Sequence, residues 1–163
     1  MSNDGEQTDR ARVLILDDEE MVLTSLSSFL ELETDYEVVT FKKGSEALEY
    51  VKENRVDLVI SDYLMPDMDG ITFLGKVKEI DPHSTRIILT GYADKENAIK
   101  AINDVGLFQY IEKPWDNEDL KIVLRNGLEK RRLMQELDKK VEEIKKAYGD
   151  LQGLHREILK AFA

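Results

Sequence analysis

The feature that most constrains the fold is the alternation of short apolar runs with longer segments of helical periodicity. The third run, at 57–61, is β-branched and apolar, which is typical of a strand buried on both faces. The strands are predicted at 13–16, 36–41, 57–61, 86–90 and 108–112, and the helices begin near Glu20, Ser45, Gly70, Asp94 and Asp116. Five such alternations predict an α/β fold, doubly wound, with a five-stranded parallel sheet, right-handed crossovers and helices on both faces.

The length of 163 residues accommodates one domain of ordinary size and an appendage. We predict a disordered polar leader at 1–10, a globular domain at 11–128 and a helical tail at 129–163. The absence of cysteine excludes disulfides and thiolate metal sites, and it suits the reducing cytoplasm. The sequence contains neither an apolar run of membrane-spanning length nor a signal-peptide pattern, so we expect no membrane association.

The formal charge of -11 is unevenly distributed along the chain. Residues 129–163 carry a net charge of +2, so the first 128 residues carry -13. A strongly negative domain repels nucleic acid and favours cations. We therefore expect no nucleic-acid binding by this chain and consider a cation site in its globular part.

Polar residues follow several of the predicted strands at the point where each strand ends. Asp17 and Asp18 follow the first strand, Asp62 follows the third, Thr90 ends the fourth, and Lys113 follows the fifth. The carboxyl ends of parallel strands meet at one edge of the sheet, which is where ligands bind in open α/β folds. The sequence therefore predicts a polar site built from these side chains.

This combination of side chains suits phosphoryl transfer. Clustered carboxylates repel each other unless a divalent cation binds them, and Mg²⁺ prefers one or two carboxylates together with phosphate and water. Lys113 can attract an anion, Thr90 can donate a hydrogen bond to it, and Asp62 is the available nucleophile. Each residue also has a simpler interpretation taken singly: the aspartates as helix caps, Thr90 as a strand end, and Lys113 as a solvated loop charge.

The same residues belong to a set of motifs that is highly specific. The motifs are Asp17-Asp18, Asp62 with Met65-Pro66-Asp67-Met68-Asp69-Gly70, Thr90-Gly91-Tyr92, and Tyr110-Ile111-Glu112-Lys113-Pro114. Over residues 11–128 the sequence resembles the receiver domain of two-component response regulators, the CheY-like family. That resemblance implies a flavodoxin-like (βα)5 fold with strand order 2-1-3-4-5.

The resemblance also implies the chemistry of the acidic site. Asp62 would be the phosphoacceptor, and the phosphoryl donor would be a sensor histidine kinase or a phosphotransfer protein. Mg²⁺ would be the cofactor, bound directly by Asp18 and Asp62 and through water by Asp17. The backbone carbonyl of Leu64 would be a further protein ligand.

A switch is implied on the other side of the site. Thr90 and Lys113 would contact the phosphoryl oxygens. Tyr110 would be the switch aromatic, which turns inward when Thr90 moves toward the phosphoryl group. The peptide bond between Lys113 and Pro114 would be cis. By the same resemblance the domain is not an enzyme in the usual sense, although it assists its own phosphorylation and dephosphorylation.

The tail carries a heptad pattern that predicts a coiled coil continuing from the last helix. Its apolar positions, spaced alternately by three and four, are Met134, Leu137, Val141, Ile144, Tyr148, Leu151, His155, Ile158 and Phe162. We expect a homodimer through 134–162, while folding back of the tail on its own domain stays an alternative. Lys140, Lys145 and the helix-weakening Gly149 and Gly153 make this pairing adjustable.

We therefore expect a signalling switch that relays phosphorylation of Asp62 through the coiled coil to an output domain. The chain ends within a heptad, so that output domain is expected to follow in the natural protein. Two alternatives remain open at this point. One is a Mg²⁺-dependent phosphohydrolase with Asp62 as nucleophile, and the other is a scaffold that acts without phosphorylation.

Overall fold

The computed structural model describes residues 10–162, apart from the side chain of Tyr92. The strands are β1 (Arg12–Leu16), β2 (Glu37–Phe41), β3 (Leu58–Asp62), β4 (Thr85–Thr90) and β5 (Gln109–Glu112). The helices are α1 (Glu20–Glu33), α2 (Gly44–Glu53), α3 (Gly70–Ile80), α4 (Lys95–Val105) and α5 (Asn117–Ala161), with a short 3-10 helix at Tyr92–Asp94 before α4. The leader predicted at 1–10 lies outside the described residues except for Arg10.

All five strands form one parallel sheet in the order β2-β1-β3-β4-β5. The central strand β3 pairs on one side with β1, where Val13 lies opposite Leu58, and on the other with β4, where Leu58 lies opposite Thr85. The predicted α/β fold and its strand order are thus confirmed. β3 is hydrogen-bonded on both sides, and all five of its residues are buried.

Successive side chains of the strands point to opposite faces of the sheet and build two apolar layers. On one face Leu14, Leu16, Val59 and Ile88 pack with α2, α3 and α4, where Phe73 is fully buried. The other layer joins α1 and α5 to the sheet through buried residues that include Val13, Ile15, Leu58, Ile60, Leu26, Leu30, Leu120 and Leu124. Apolar residues at both alternating positions explain why the strand sequences read as continuous apolar runs.

Two helix starts match their sequence signals in detail. Asp69 caps α3, because its carboxylate accepts a hydrogen bond from the Thr72 N–H at 2.7 Å. Asp116 precedes α5 and accepts from the N–H groups of Glu118 and Asp119. The predicted cap at Asp94 is different: the residue stands at the start of α4, but its side chain makes no capping hydrogen bond.

The helical spacing of apolar residues predicts that Ile80 and Ile99 face the core, but both are exposed. Ile80 is 37% exposed and Ile99 is 42% exposed. The buried face of α3 is centred on Phe73, Leu74 and Val77, which leaves Ile80 at the last position of the helix. The buried face of α4 consists of the small side chains Ala98 and Ala101.

The chain divides into two compact units, one up to Arg131 and one from Arg132 onward. The second unit is helical, and its heptad side chains are exposed, as Ile144 at 67% and Leu137 at 55% illustrate. Within the described residues, no helix combines the length and apolar character needed to cross a membrane.

Candidate functional site

The carboxyl ends of four neighbouring strands bring the predicted site residues to one edge of the sheet. Asp17 follows β1, Asp62 is the last residue of β3, Thr90 is the last residue of β4, and Lys113 follows β5. The backbone N–H of Lys113 donates to the carbonyl of Thr90 at 2.9 Å and extends the pairing of the two strands. The strand order therefore determines which side chains can meet.

Three carboxylates lie close together at this edge. Asp17, Asp18 and Asp62 each present an oxygen within 4.8 Å of the other two. Asp17 is fully buried and Asp62 is only 8% exposed, whereas Asp18 is exposed to solvent. This oxygen-only donor set fits Mg²⁺, since two buried carboxylates supply charge and the solvent side leaves room for the waters that Mg²⁺ retains.

Asp17 has a second structural task, because its Oδ1 accepts the Glu19 N–H at 2.8 Å. This bond lies within the turn that leads into α1. Asp17 therefore shapes the turn but does not cap α1, whose N-cap is Glu19. The other oxygen, Oδ2, faces the ammonium of Lys113, so one residue both shapes the turn and contributes to the site.

Lys113 bridges the two buried carboxylates. Its Nζ lies 3.1 Å from Asp17 Oδ2 and 3.1 Å from Asp62 Oδ1. Burial by itself would lower the pKa of Lys113, but hydrogen bonds and attraction from the two aspartates outweigh it and raise the pKa. The lysine is therefore charged at neutral pH and stands beside the oxygens of Asp62.

The carboxylate of Asp62 is held in an environment that disfavours its negative charge. Burial raises its pKa most, and repulsion from Asp17 raises it further. The hydrogen bond and charge of Lys113 and the N–H of Tyr63, at 2.9 Å from Oδ1, act in the opposite direction without cancelling the increase. A cation bound beside Asp62 relieves this unfavourable charge.

The loop after β3 is fixed by its backbone. The N–H of Gly70 donates to the carbonyl of Tyr63 at 2.9 Å and closes the loop that contains Leu64. A Cβ at Gly70 would lie 2.0 Å from the carbonyl oxygen of Asp62, so only glycine fits. The start of α3 is thereby pinned against the last residue of β3, which positions Asp62 at the floor of the site.

The family model described as the response regulator receiver domain matches residues 13–125. This span includes every site residue named above. The chain belongs to the response regulator receiver domain family. Receiver domains accept a phosphoryl group on an aspartate, generally bind Mg²⁺ at an acidic pocket, and act as phosphoacceptors, not as classical enzymes.

Similar proteins support the same assignment of this receiver domain. The regulatory protein AtoC of Escherichia coli (strain K12) is 35% identical over 129 residues, which are 77% of this chain and 27% of that protein. Hydrogenase transcriptional regulatory proteins HoxA match over 28% and 26% of their length. The chain thus spans about a quarter of the length of the curated relatives that it matches.

Solved structures of receiver domains agree in fold. A crystal structure of a response regulator receiver domain protein from Clostridium thermocellum has a TM-score of 0.72 and 37% identity, and the match covers 76% of this chain and 98% of that one. The beryllofluoride-activated NtrC4 receiver domain dimer, solved in solution, has a TM-score of 0.68 and 37% identity over 74% of this chain and 98% of that chain.

Thr90, Tyr110 and the bond between Lys113 and Pro114 complete the motif set of this receiver domain. Thr90 is fully buried, and its hydroxyl donates to the carbonyl of Gly91 at 3.1 Å. Tyr110 is partly buried against the core, and the Lys95 ammonium lies 5.9 Å from the centre of its ring. The peptide bond between Lys113 and Pro114 is cis, as the resemblance implied.

The sequence analysis did not identify the roles of two residues that shape the site, or a charged cluster at the opposite end of the sheet. Ser61 is fully buried beside Asp62 and donates to the Asp62 carbonyl at 3.0 Å. The sequence predicts a helix start at Gly70, and the structure adds that the site requires its lack of a side chain. The cluster lies at the amino ends of the strands, where the buried guanidinium of Arg131 contacts Asp57 and Asp81.

Proposed function

We propose that this receiver domain is a phosphorylation switch whose acceptor is Asp62. The observation that carries the proposal is the bridging of Asp62 and Asp17 by Lys113 at a buried edge of the sheet, with Asp18 alongside. A carboxylate oxygen of Asp62 bonds to the phosphorus of a phosphohistidine as the P–N bond breaks. The histidine of the donor, a sensor histidine kinase or a phosphotransfer protein, leaves with the electron pair and takes up a proton.

The two oxygens of Asp62 are not equivalent in this step. The side-chain hydrogen bonds found for the Asp62 carboxylate in the described chain, from Lys113 and from the Tyr63 N–H, both go to Oδ1. We therefore assign Oδ2 as the oxygen that bonds phosphorus. Lys113 then holds the carboxylate in place before the reaction and attracts the phosphoryl oxygens as the group arrives.

The acidic cluster would hold Mg²⁺ through Asp17, Asp18, Asp62 and the backbone carbonyl of Leu64. When bound, the ion supplies positive charge that lessens repulsion between the carboxylates and the incoming phosphoryl group. Asp17 and Asp18 keep the required negative charge in place, and the loop closed by Gly70 fixes the backbone beside Leu64. The same residues would assist hydrolysis of the aspartyl phosphate and so limit its lifetime.

Thr90 and Tyr110 would form the switch. The Thr90 hydroxyl donates to the Gly91 carbonyl before phosphorylation and would exchange that acceptor for a phosphoryl oxygen. Such an exchange moves the start of the loop before α4 and opens space beside the partly buried ring of Tyr110. The change would then travel along β5 and α5.

The test of the acceptor function uses acetyl phosphate or beryllofluoride with Mg²⁺. Tryptophan fluorescence reports binding near the site because Trp115, the single tryptophan of the sequence, lies two residues after Lys113. We expect saturable binding of beryllofluoride only with Mg²⁺, and labelling by acetyl phosphate that stops at one phosphoryl group per chain. Continued turnover of an external phosphate ester would instead indicate a phosphohydrolase.

The proposal extends to a homodimer formed by the heptad residues of 134–162. Their exposed apolar side chains need a partner helix to become buried, and two copies of the same pattern provide one. The NtrC4 receiver domain, which is similar in structure, is itself a dimer in its beryllofluoride-activated form. We expect constitutive parallel pairing, with phosphorylation altering the packing of the helices and not their association.

Light scattering of the full chain tests this pairing. Ile144→Asn removes an apolar heptad side chain and should produce monomers, whereas Lys146→Asn, at an outward heptad position, should leave the dimer intact. A full chain that is monomeric both with and without beryllofluoride would contradict the dimer. A dimer that forms only with beryllofluoride would contradict constitutive pairing.

The output is a further part of the proposal. The curated relatives include transcriptional regulatory proteins that are about four times as long as their matched portions, which supports an output domain in the natural protein. The cytoplasmic location and the lack of nucleic-acid binding by this chain stay predictions from the cysteine-free, acidic sequence.

A further inference from the structure

Arg131 is the last residue of the first compact unit and is buried, although α5 continues beyond it. Its exposed fraction is 6%, and it lies on the same helix face as Leu120, Leu124 and Gly127. That face packs on the sheet. A charged side chain at the end of an otherwise apolar face is costly to bury unless it is paired, so its partners indicate what the position does.

The guanidinium of Arg131 joins two other elements to α5. Its Nε donates to Asp57 Oδ1 at 3.1 Å, and one terminal nitrogen donates to Asp81 Oδ2 at 2.9 Å. Asp57 immediately precedes β3, and Asp81 immediately follows α3. The second oxygen of Asp57 accepts the N–H of Arg12 at 2.8 Å, so the carboxylate that holds Arg131 is itself fixed to β1.

A second contact holds α5 at the same end of the sheet. The hydroxyl of Thr85, the first residue of β4, donates to the carbonyl of Gly127 at 2.6 Å. A Cβ at Gly127 would lie 2.6 Å from Thr85 Cγ2, so glycine allows this close approach. The turns of α5 that end at Arg131 are thus fixed to the starts of β3 and β4 by polar contacts, in addition to apolar packing.

Asp57, which Arg131 contacts, leads directly into the strand that carries Asp62. Asp57 stands before the first residue of β3 and Asp62 is its last, and β3 is hydrogen-bonded to a neighbour on each side. The end of α3 that contributes Asp81 belongs to the helix whose start, at Gly70, is pinned against Asp62. The strand β3 therefore connects Asp62 to Asp57, and the helix α3 connects it to Asp81; these are the two partners of Arg131.

We propose that Arg131 is a positioning residue that couples the state of Asp62 to the tail by fixing α5 to β3 and α3 through Asp57 and Asp81. The inference rests on the phosphorylation switch proposed above. Without the guanidinium, the last turns of α5 retain apolar packing but lose the directional contacts that fix the rotation of the helix. A displacement at the acidic pocket is then absorbed before the helix passes Arg131.

Hydrogen exchange measured by mass spectrometry tests the coupling, because it reports the pocket and the tail in one experiment. The full chain is compared with and without beryllofluoride and Mg²⁺, in the unsubstituted protein, in Arg131→Gln and in Arg132→Gln. Arg132 is the matched control, since it is the adjacent arginine and pairs with Glu136 within the second unit.

In the unsubstituted protein and in Arg132→Gln, we expect beryllofluoride to slow exchange in peptides containing Asp62 and Thr90 and to change exchange in peptides from 133–150. In Arg131→Gln the pocket response should remain, while the tail response falls by about fivefold. An undiminished tail response in Arg131→Gln, or a tail that fails to respond in the unsubstituted protein while the pocket does, would overturn the coupling.

Different peptides report on the proposed function and on the coupling, so the failure of one can be distinguished from the failure of the other. Loss of the pocket response in the unsubstituted protein contradicts the acceptor function itself. If Arg131→Gln fails to fold, Asp81→Asn decides the question, because it removes one of the two carboxylates and retains the contact with Asp57. A smaller tail response with an intact pocket response in that variant supports the coupling, and an unchanged tail response overturns it.

Discussion

Two charged clusters stand at opposite ends of the sheet and differ in how their charges are matched. At the carboxyl ends of the strands, Asp17, Asp18 and Asp62 lie close together, and the ammonium of Lys113 pairs with Asp17 and Asp62. At the amino ends, Asp57 and Asp81 are both bound by Arg131. Arg55 lies 3.6 Å from Asp57 and the N–H of Arg12 donates to it, so the second cluster has a matched set of donors.

The difference separates a reactive site from an anchoring one. Burial and the neighbouring charge of Asp17 raise the pKa of Asp62, and a cation bound at the site would relieve this unfavourable charge. The cluster around Arg131 has its hydrogen-bonding groups matched and favours one fixed arrangement. Unfavourable local charge is tolerated where a domain performs chemistry and is compensated by packing elsewhere.

The two clusters also differ in the basic residue that each contains. Lys113 is a compact point charge that contacts two separate carboxylates and can also serve an arriving anion. Arg131 presents a planar guanidinium whose donors point in fixed directions, toward the start of β3 and the end of α3. The first cation suits a site whose contents change, and the second suits a contact that keeps one geometry.

The largest stability effect is expected at the amino end. Arg131→Gln leaves Asp57 and Asp81 without their shared partner and should lower the free energy of unfolding by about 3 kcal/mol. Arg132→Gln, which removes an exposed pair, should change it by less than about 0.5 kcal/mol. Urea denaturation measures both. Equal effects of the two substitutions would show that burial of Arg131 does not distinguish it from a surface arginine.

Lys113→Ala should have a smaller effect that Mg²⁺ can reverse. The substitution leaves Asp17 and Asp62 unneutralised and should lower the free energy of unfolding by about 1 kcal/mol without Mg²⁺. Saturating Mg²⁺ should restore the loss, because the ion compensates the same carboxylates, and it should not restore Arg131→Gln. Mg²⁺ affinity should survive the substitution, while phosphorylation no longer reaches the switch. A collapse of Mg²⁺ affinity would contradict the role assigned to Lys113.

Asp62→Asn should stabilise the protein slightly when Mg²⁺ is removed by a chelator. The pKa of Asp62 is raised, so its ionised form disfavours folding, and a neutral amide of the same shape should raise the free energy of unfolding at neutral pH. The folded wild type binds a proton more readily than the unfolded chain. The gain should therefore be complete above the raised pKa and disappear as the pH falls to the ordinary value of 3.8 and below.

The same denaturation series in Asp18→Asn provides the control, because that carboxylate is exposed and its replacement should change stability by less than about 0.5 kcal/mol. A gain in Asp62→Asn that persists unchanged at low pH would mean that relief of charge is not its cause.

The carboxyl end could be predicted from the sequence because its residues are placed by the strands themselves. Once the five apolar runs are recognised as parallel strands, the residues that follow them must meet at one edge, and Asp17, Asp62 and Lys113 do. The contact between Lys113 and both aspartates was not predicted, because the sequence does not contain the distance between neighbouring strand ends.

The amino end could not be predicted in the same way. Arg131 pairs with residues 74 and 50 positions away, and it stands in a helix rich in charged residues that are normally solvated. A signal was present nevertheless: Arg131 continues the spacing of four and three that relates the buried Leu120, Leu124 and Gly127. The spacing thus indicates how far the buried face of the helix extends. It does not indicate that an arginine occupies the last buried position.

The central claim is that Asp62 is the group that changes state, and mapping the phosphoryl group tests it most directly. The full chain is incubated with acetyl phosphate and Mg²⁺, and the labelled peptide is identified by mass spectrometry in the wild type and in Asp62→Asn. We predict one phosphoryl group on the peptide that contains Asp62 and none in the variant. Labelling of Asp62→Asn at the wild-type level, or of a peptide lacking Asp62, would contradict the account.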